Sequence, residues 1–260
     1  MSGPHLHPEV LDHVVDLLHD AETVLKSCSL ISKSWVPRTR RHLFARISFG
    51  SARDLQLWQR TFPDPSASPA YYTKVLSIRC PQEVVAADME EGGWVRAFSH
   101  IMKLEIDEPQ DLESTVSLDP LYGAFPALRS LDINVSTIEP SQLYSFTYSF
   151  PLLEDLSLAL QEERRDFNDG VDEQTIALPP ASSPPFTGSL TLFAVNGIFA
   201  IASQLFSLPG DLRFRELHLG LNNERDFRFV NEFVQHCSST LEVLELGHYP
   251  HGRTSICYAN

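Results

Sequence analysis

One short pattern recurs along most of this chain and constrains its fold more than any other feature. Val75-Leu76-Ser77-Ile78, Lys103-Leu104-Glu105-Ile106, Ser130-Leu131-Asp132-Ile133 and Asp155-Leu156-Ser157-Leu158 each set two aliphatic residues around one intervening residue. Ser189-Leu190-Thr191-Leu192, Glu216-Leu217-His218-Leu219 and Val243-Leu244-Glu245-Leu246 repeat it, and Arg46-Ile47-Ser48-Phe49 is a first member. The leading residues stand at 47, 76, 104, 131, 156, 190, 217 and 244, an even beat with one long step before 190. Alternation of period two marks short, half-buried strands. The intervals carry apolar residues at helical spacing: Leu55, Trp58 and Phe62; Leu143, Phe146 and Phe150; Ile198, Ile201, Leu205 and Leu208; Phe227, Val230, Phe233, Val234 and Cys237.

The repeating unit is therefore strand, turn, helix and return. One such unit cannot bury its apolar face alone, whereas stacked units share a continuous core. The plainer reading is an ordinary α/β sheet with coincidental spacing. Many such proteins carry a glycine-rich phosphate loop; this chain has 12 Gly and neither GxGxxG nor GxxxxGK[ST]. The unit resembles the leucine-rich repeat, L-x-x-L-x-L-x-x-N. Leu128-Arg129-Ser130-Leu131-Asp132-Ile133 and Leu241-Glu242-Val243-Leu244-Glu245-Leu246 match its first six positions, and Leu217-His218-Leu219 with Asn222 its last. The long step contains Pro179-Pro180-Ala181-Ser182-Ser183-Pro184-Pro185, which can continue neither helix nor ladder. A proline-rich loop is expected near 162–186.

Residues 6–44 do not follow the beat. Pro8–Leu18 reads as a short amphipathic helix, with Pro8 suited to the first turn, where its missing N–H costs nothing. Glu22–Ile31 and Lys33–Phe44 give two more. Three helices in so few residues make a very small core, which needs another surface to cover its apolar side chains. Leu6-His7-Pro8-Glu9-Val10-Leu11, Leu17-Leu18-His19-Asp20, Leu25–Trp35 and Arg41-His42-Leu43-Phe44, in that order, resemble the F-box. His7 and His13 depart from the family pattern.

That resemblance implies an α/β chain with a three-helix F-box at 1–45. A curved leucine-rich-repeat-like solenoid with parallel strands follows at 46–260. It implies a function as the substrate-recognition subunit of a ubiquitin ligase: the F-box binds a Skp-family adaptor and through it a cullin, while the repeats present a protein substrate. By carry-over, Leu6, Pro8, Val10, Leu11, Val14, Leu18, Leu25, Cys28, Leu30, Ile31 and Trp35 include the adaptor contacts, foremost the Leu6–Pro8 opening and the Cys28–Ile31 run. The alternative is a repeat scaffold that binds a protein without any ligase.

Composition narrows the function classes. Lys and Arg number 20 against 34 Asp and Glu, a formal charge of −14, so broad nucleic-acid binding is not expected. Four scattered cysteines make no disulfide framework, and no apolar run approaches the roughly 20 residues of a membrane span. With no secretory signal pattern at Met1–His5, a cytoplasmic or nuclear protein is expected. GxSxG and HExxH are missing, and the pairs His5/His7 and His248/His251 lack partners at metal spacing. No enzyme activity, cofactor or metal is expected.

Alternation turns the residue between the paired aliphatics outward. Ser77, Glu105, Asp132, Ser157, Thr191, His218 and Glu245 are thus the candidate substrate surface, flanked by Lys103, Asp107, Asn134, Asp155 and Glu216. Carboxylates outnumber cations there, so a basic patch is the complementary partner. The plainer reading is solvated surface charge.

Overall fold

Parallel strands need a crossover between them, and the repeat supplies one at each step. The computed structural model describes residues 7–79, 81, 83–84, 93–108, 118, 121–135, 140–160, 187–194, 205, 213–221 and 226–248. Eight strands form one open, all-parallel sheet: β1 (Arg46–Phe49), β2 (Val75–Arg79), β3 (Lys103–Asp107), β4 (Ser130–Val135), β5 (Asp155–Leu160), β6 (Ser189–Ala194), β7 (Glu216–Leu221) and β8 (Val243–His248). Their order in the sheet is their order in the sequence. Six α-helices are described. α1 (Pro8–Leu17), α2 (Glu22–Ile31) and α3 (Val36–Leu43) precede β1. α4 (Ala52–Thr61), α5 (Pro140–Tyr148) and α6 (Asp226–His236) lie between strands.

The register is the one the spacing predicts. Ile47, Leu76, Leu104, Leu131, Leu156, Leu190, Leu217 and Leu244 stand opposite one another in turn across all eight strands. The second row runs Phe49, Ile78, Ile106, Ile133, Leu158, Leu192, Leu219 and Leu246. From β2 to β7 both rows are buried. On β8, the last of the described strands, Leu244 and Leu246 are 40% and 47% exposed.

The returns into β3, β4 and β5 are tight turns with a buried phenylalanine at the start. Ile101 N–H donates to Phe98 O, Leu128 N–H to Phe125 O and Leu153 N–H to Phe150 O. Phe98, Phe125 and Phe150 are buried, and the Phe125 and Phe150 rings stack at 6.3 Å. One carbonyl of the preceding turn then accepts two N–H groups. Lys74 O takes Met102 and Lys103; Met102 O takes Arg129 and Ser130; Arg129 O takes Glu154 and Asp155. At these junctions the N–H groups at the turn-to-strand step are paired, as buried backbone requires.

The helical stripes pack as spaced: Leu55 and Trp58, Leu143 and Phe146, and Val230, Phe233 and Cys237 are buried. Phe227 is a correction, being 57% exposed in the first turn of α6. Leu205 is buried, while Ile198, Ile201, Leu208 and the proline-rich 162–186 segment lie outside the described residues. The first three helices meet the sheet through an aromatic seam. Phe44 follows α3 and sits edge-on to Trp58 of α4 at 6.0 Å, and Trp58 contacts Phe49, Phe62 and Phe98. Such pairs add about 0.5–1.5 kcal/mol each beyond area burial.

Leu131 is fully buried at the centre of the first row. Leu131→Ala is expected to lower stability by about 2–5 kcal/mol through an uncollapsed cavity. A urea melt showing a loss below about 1 kcal/mol would mean that the row is not the packed core.

Candidate functional site

Two surfaces collect the residues singled out from sequence. The first is built by α1 and α2. Helix α1 has apolar residues on two sides. Val15 is buried and Leu11 and Leu18 are half-buried at i, i+4 and i+7, while Val10, Val14 and Leu17 at the same spacing are exposed. Helix α2 divides likewise: Leu25 and Cys28 are buried, and Val24, Leu30 and Ile31 are exposed. Leu30, Ile31 and Leu17 are 88%, 71% and 69% exposed.

The carried-over adaptor set therefore splits. Val10, Val14, Leu30 and Ile31 are surface residues. Leu11, Leu18 and Trp35 are half-buried. Leu25 and Cys28 are corrections: both pack inside the three helices, because the inward stripe of a small bundle takes the residues nearest its axis. Leu6 lies outside the described residues, and Pro8 is described only as the opening residue of α1. His13 is exposed and takes no part in the inward stripe. Leu17 and Val24 join the exposed set, although sequence reading passed over them. Their signal was there: Leu17 is three residues beyond Val14, and Val24 is seven before Ile31.

A polar clamp fixes the pose of α1. Arg38 of α3 donates through Nε to Asp16 Oδ1 at 2.7 Å and through a second nitrogen to Oδ2, and His42 Nε2 lies 2.7 Å from Asp16 Oδ1. The Arg38 hydrogen bonds, then His42, hold the Asp16 carboxyl well below the usual carboxylate range.

The second surface is the sheet face opposite the core. Ser77, Glu105, Asp132, Ser157, Thr191, His218 and Glu245 form one continuous row, each directly opposite the next. Glu245 is exposed and the others are half-buried. Neighbours along one strand and across to the next tie many of these groups. Lys103 Nζ is 2.9 Å from Glu105 Oε1, and Asn134 Nδ2 donates to Asp107 Oδ1 at 2.8 Å. His218 Nδ1 is 2.8 Å from Glu245 Oε2, and its Nε2 is 3.6 Å from Glu216 Oε2. Asp132 differs. Burial pushes its carboxyl up from the ordinary value, against the opposing pull of Lys103 and a Ser157 hydrogen bond. Glu105 and Asp107 add to the upward push.

Among the described residues, no group of three or more His, Cys, Asp or Glu is placed to hold a metal ion. No described helix is long and apolar enough to cross a membrane. Cys28 and Cys237 are buried free thiols, and burial raises the Cys237 thiol. Compared with protein-family models, curated proteins and solved structures, the chain matches none.

The two carboxyls make opposite predictions. Asp16 has a lowered folded-state value, so its stabilising contribution is present above the unfolded carboxylate range and is lost as pH falls. Asp16→Asn is expected to lower the melting temperature at pH 7, with the gap from wild type closing on acidification. Asp132 has a raised value, so ionising it in the fold costs stability as pH rises. Asp132→Asn is expected to raise the melting temperature at pH 7 and to match wild type once Asp132 is protonated. Melts of both variants from pH 3 to 7 check the two signs.

Proposed function

We propose that this chain is the substrate-recognition subunit of a Skp–cullin–F-box ubiquitin ligase. In this reading α1–α3 are an F-box that docks on a Skp-family adaptor, which links the chain to a cullin. The strand–helix units are leucine-rich-repeat-like turns of a solenoid whose open sheet face receives a protein substrate. Ubiquitin transfer belongs to other subunits. This chain contributes no catalytic residue and acts by proximity, raising the effective concentration of a substrate lysine at the transfer site.

The observation that carries the reading is the second apolar face of α1 and α2. Val10, Val14, Leu17, Val24, Leu30 and Ile31 are exposed while the inward stripes are filled by other residues. Several exposed aliphatics on a small unit whose inward stripes are already filled mark an interface. Fully burying each such side chain is favourable by about 1.5–3 kcal/mol. The ordered match of the first 44 residues to the F-box pattern names the adaptor.

Titration against a purified Skp-family adaptor tests this. Val14→Ser with Leu30→Ser is expected to weaken binding about 100-fold, since two interface anchors at about 1.4 kcal/mol each remove two decades. The melting temperature should hold, because neither residue is buried. Leu25→Ala, by contrast, is expected to destabilise the fold by about 2–5 kcal/mol. If the wild-type chain binds no adaptor at micromolar concentration, the ligase assignment fails and a ligase-independent repeat scaffold takes its place.

A further inference from the structure

The register sorts charge along the open sheet face. Outward positions on β1–β3 carry Arg46, Arg79 and Lys103 beside Glu105 and Asp107. Outward positions on β4–β8 carry Asp132, Asp155, Glu216 and Glu245, and no lysine or arginine. The outward strand positions of β4–β8 are thus acidic apart from the His218 imidazole, while Arg129 and Arg215 stand beside them at the entrances to β4 and β7.

Within that half the surface is notched at the entrance to β6. Glu154, Gly188 and Arg215 occupy equivalent ladder positions, since Ser189 N–H donates to Glu154 O and Arg215 N–H to Gly188 O. The middle position has no side chain, and cannot have one: a Cβ on Gly188 would stand 1.7 Å from Glu154 O. The Glu154 backbone thus fills the place of that side chain, and beside this close approach lies an open crevice of about 320 Å³ whose lining includes Gly188 and Ser189. Glu154 and Asp155 form one wall, Arg215 and Glu216 the other. That volume is at the lower end for small-molecule sites, about 300 Å³, and suits one long side chain. Glu154 is engaged by Arg129, and Asp155 Oδ1 accepts the Ser189 hydroxyl at 2.8 Å. With Arg129 counted beside Arg215, three carboxylates meet two guanidiniums and the site keeps one net negative charge.

We infer that this notch is a side-chain subsite that takes one lysine or arginine from an extended segment of a partner protein, while the carboxylates of β4–β8 attract the flanking positive charge. The inference rests on the proposed role of the open face in recognition, and it names the partner's chemistry. Asp155 and Glu216, on opposite walls, flank the cation. Arg215 opposes it and sets an upper limit on affinity. Exposed charge pairs are screened by salt, so binding weakens as ionic strength rises.

The test is fluorescence anisotropy of the full chain with a labelled nonapeptide of alternating lysine and glycine, and with its glutamate counterpart, at low salt. The lysine peptide is expected to bind and the glutamate peptide not to bind. Asp155→Asn with Glu216→Gln is expected to weaken binding about tenfold, one decade for about 1.4 kcal/mol. Asp12→Asn with Glu22→Gln removes the same charge from α1 and α2 and is expected to change it less than about twofold. Arg215→Ala is expected to tighten binding, and Arg228→Ala on exposed α6 to leave it near wild type. Equal losses in the two carboxylate pairs would reduce the effect to overall charge and overturn the subsite, as would no binding of the lysine peptide or equal binding of both peptides. Thermal melts exclude misfolding of each variant. Adaptor titration of the same proteins separates the two proposals: lysine-peptide binding without adaptor binding sinks the ligase role and keeps the notch, and the reverse sinks the notch alone.

Discussion

Everything in this structure depends on the lateral contact between equivalent aliphatic residues of successive strands. Leu131 is buried because Leu104 and Leu156 stand on either side of it, and neither would be buried without its own neighbours. Burial is thus a property of the stack and not of any unit. The same dependence explains the ends. At β8 the row runs out and its leucines are left half-covered. At β1 the Phe49 ring of the row packs on Trp58 of α4, which also meets Phe44 at the end of α3, so the first helices join the stack beside its first strand.

That ladder also decides what the opposite face can be. Because the inward residues must align, the outward residues align as well, and a row of side chains is held about 4.8 Å apart from strand to strand. Groups distant in sequence become fixed neighbours: His218 and Glu245, Asn134 and Asp107, Ser189 and Asp155. The core has already ordered the backbone, so fixing them costs only the rotamer freedom of the side chains themselves. Asp132 shows the limit of this arrangement. It is held among Glu105 and Asp107 without enough solvent, so its charge opposes the fold that places it.

The sheet was legible in the sequence for a definite reason. A period of two leaves only two choices of inward face per strand, and one of them puts serine, aspartate and glutamate into the core. A slip of two keeps the same face inward, so after the longer step the sequence left the register at Leu190 open; the ladder aligns Leu190 with Leu156 and Leu217. The helices α1 and α2 offered no such contrast. Val10, Leu11, Val14, Val15, Leu17 and Leu18 are aliphatic on both sides of one helix, so hydrophobicity alone does not tell the packed side from the bare one. Only contact with α3 separates Val15 from Val14, as it separates Cys28 from Leu30. The notch at Gly188 was illegible too. Its lining comes from three strand entrances far apart in sequence, at Glu154 and Asp155, Gly188 and Ser189, and Arg215 and Glu216, and that grouping becomes visible only once the strands are in register.

The two candidate surfaces sit on one stack, and this gives their separation a physical meaning. The exposed aliphatics of α1 and α2 belong to the helices that precede β1, while the notch lies at β6, five strand spacings further on. At about 4.8 Å per spacing that is roughly 24 Å of hydrogen-bonded ladder. A flexible linker of similar reach would let a bound segment sample a broad volume. A ladder whose every step is fixed by paired N–H and C=O groups holds it at one distance instead. If the chain works by bringing a substrate lysine to a transfer site, the number of strands sets where that lysine can be. The buried leucine rows then matter to function as directly as any exposed side chain, because losing one would loosen the spacing between the surfaces while leaving both intact.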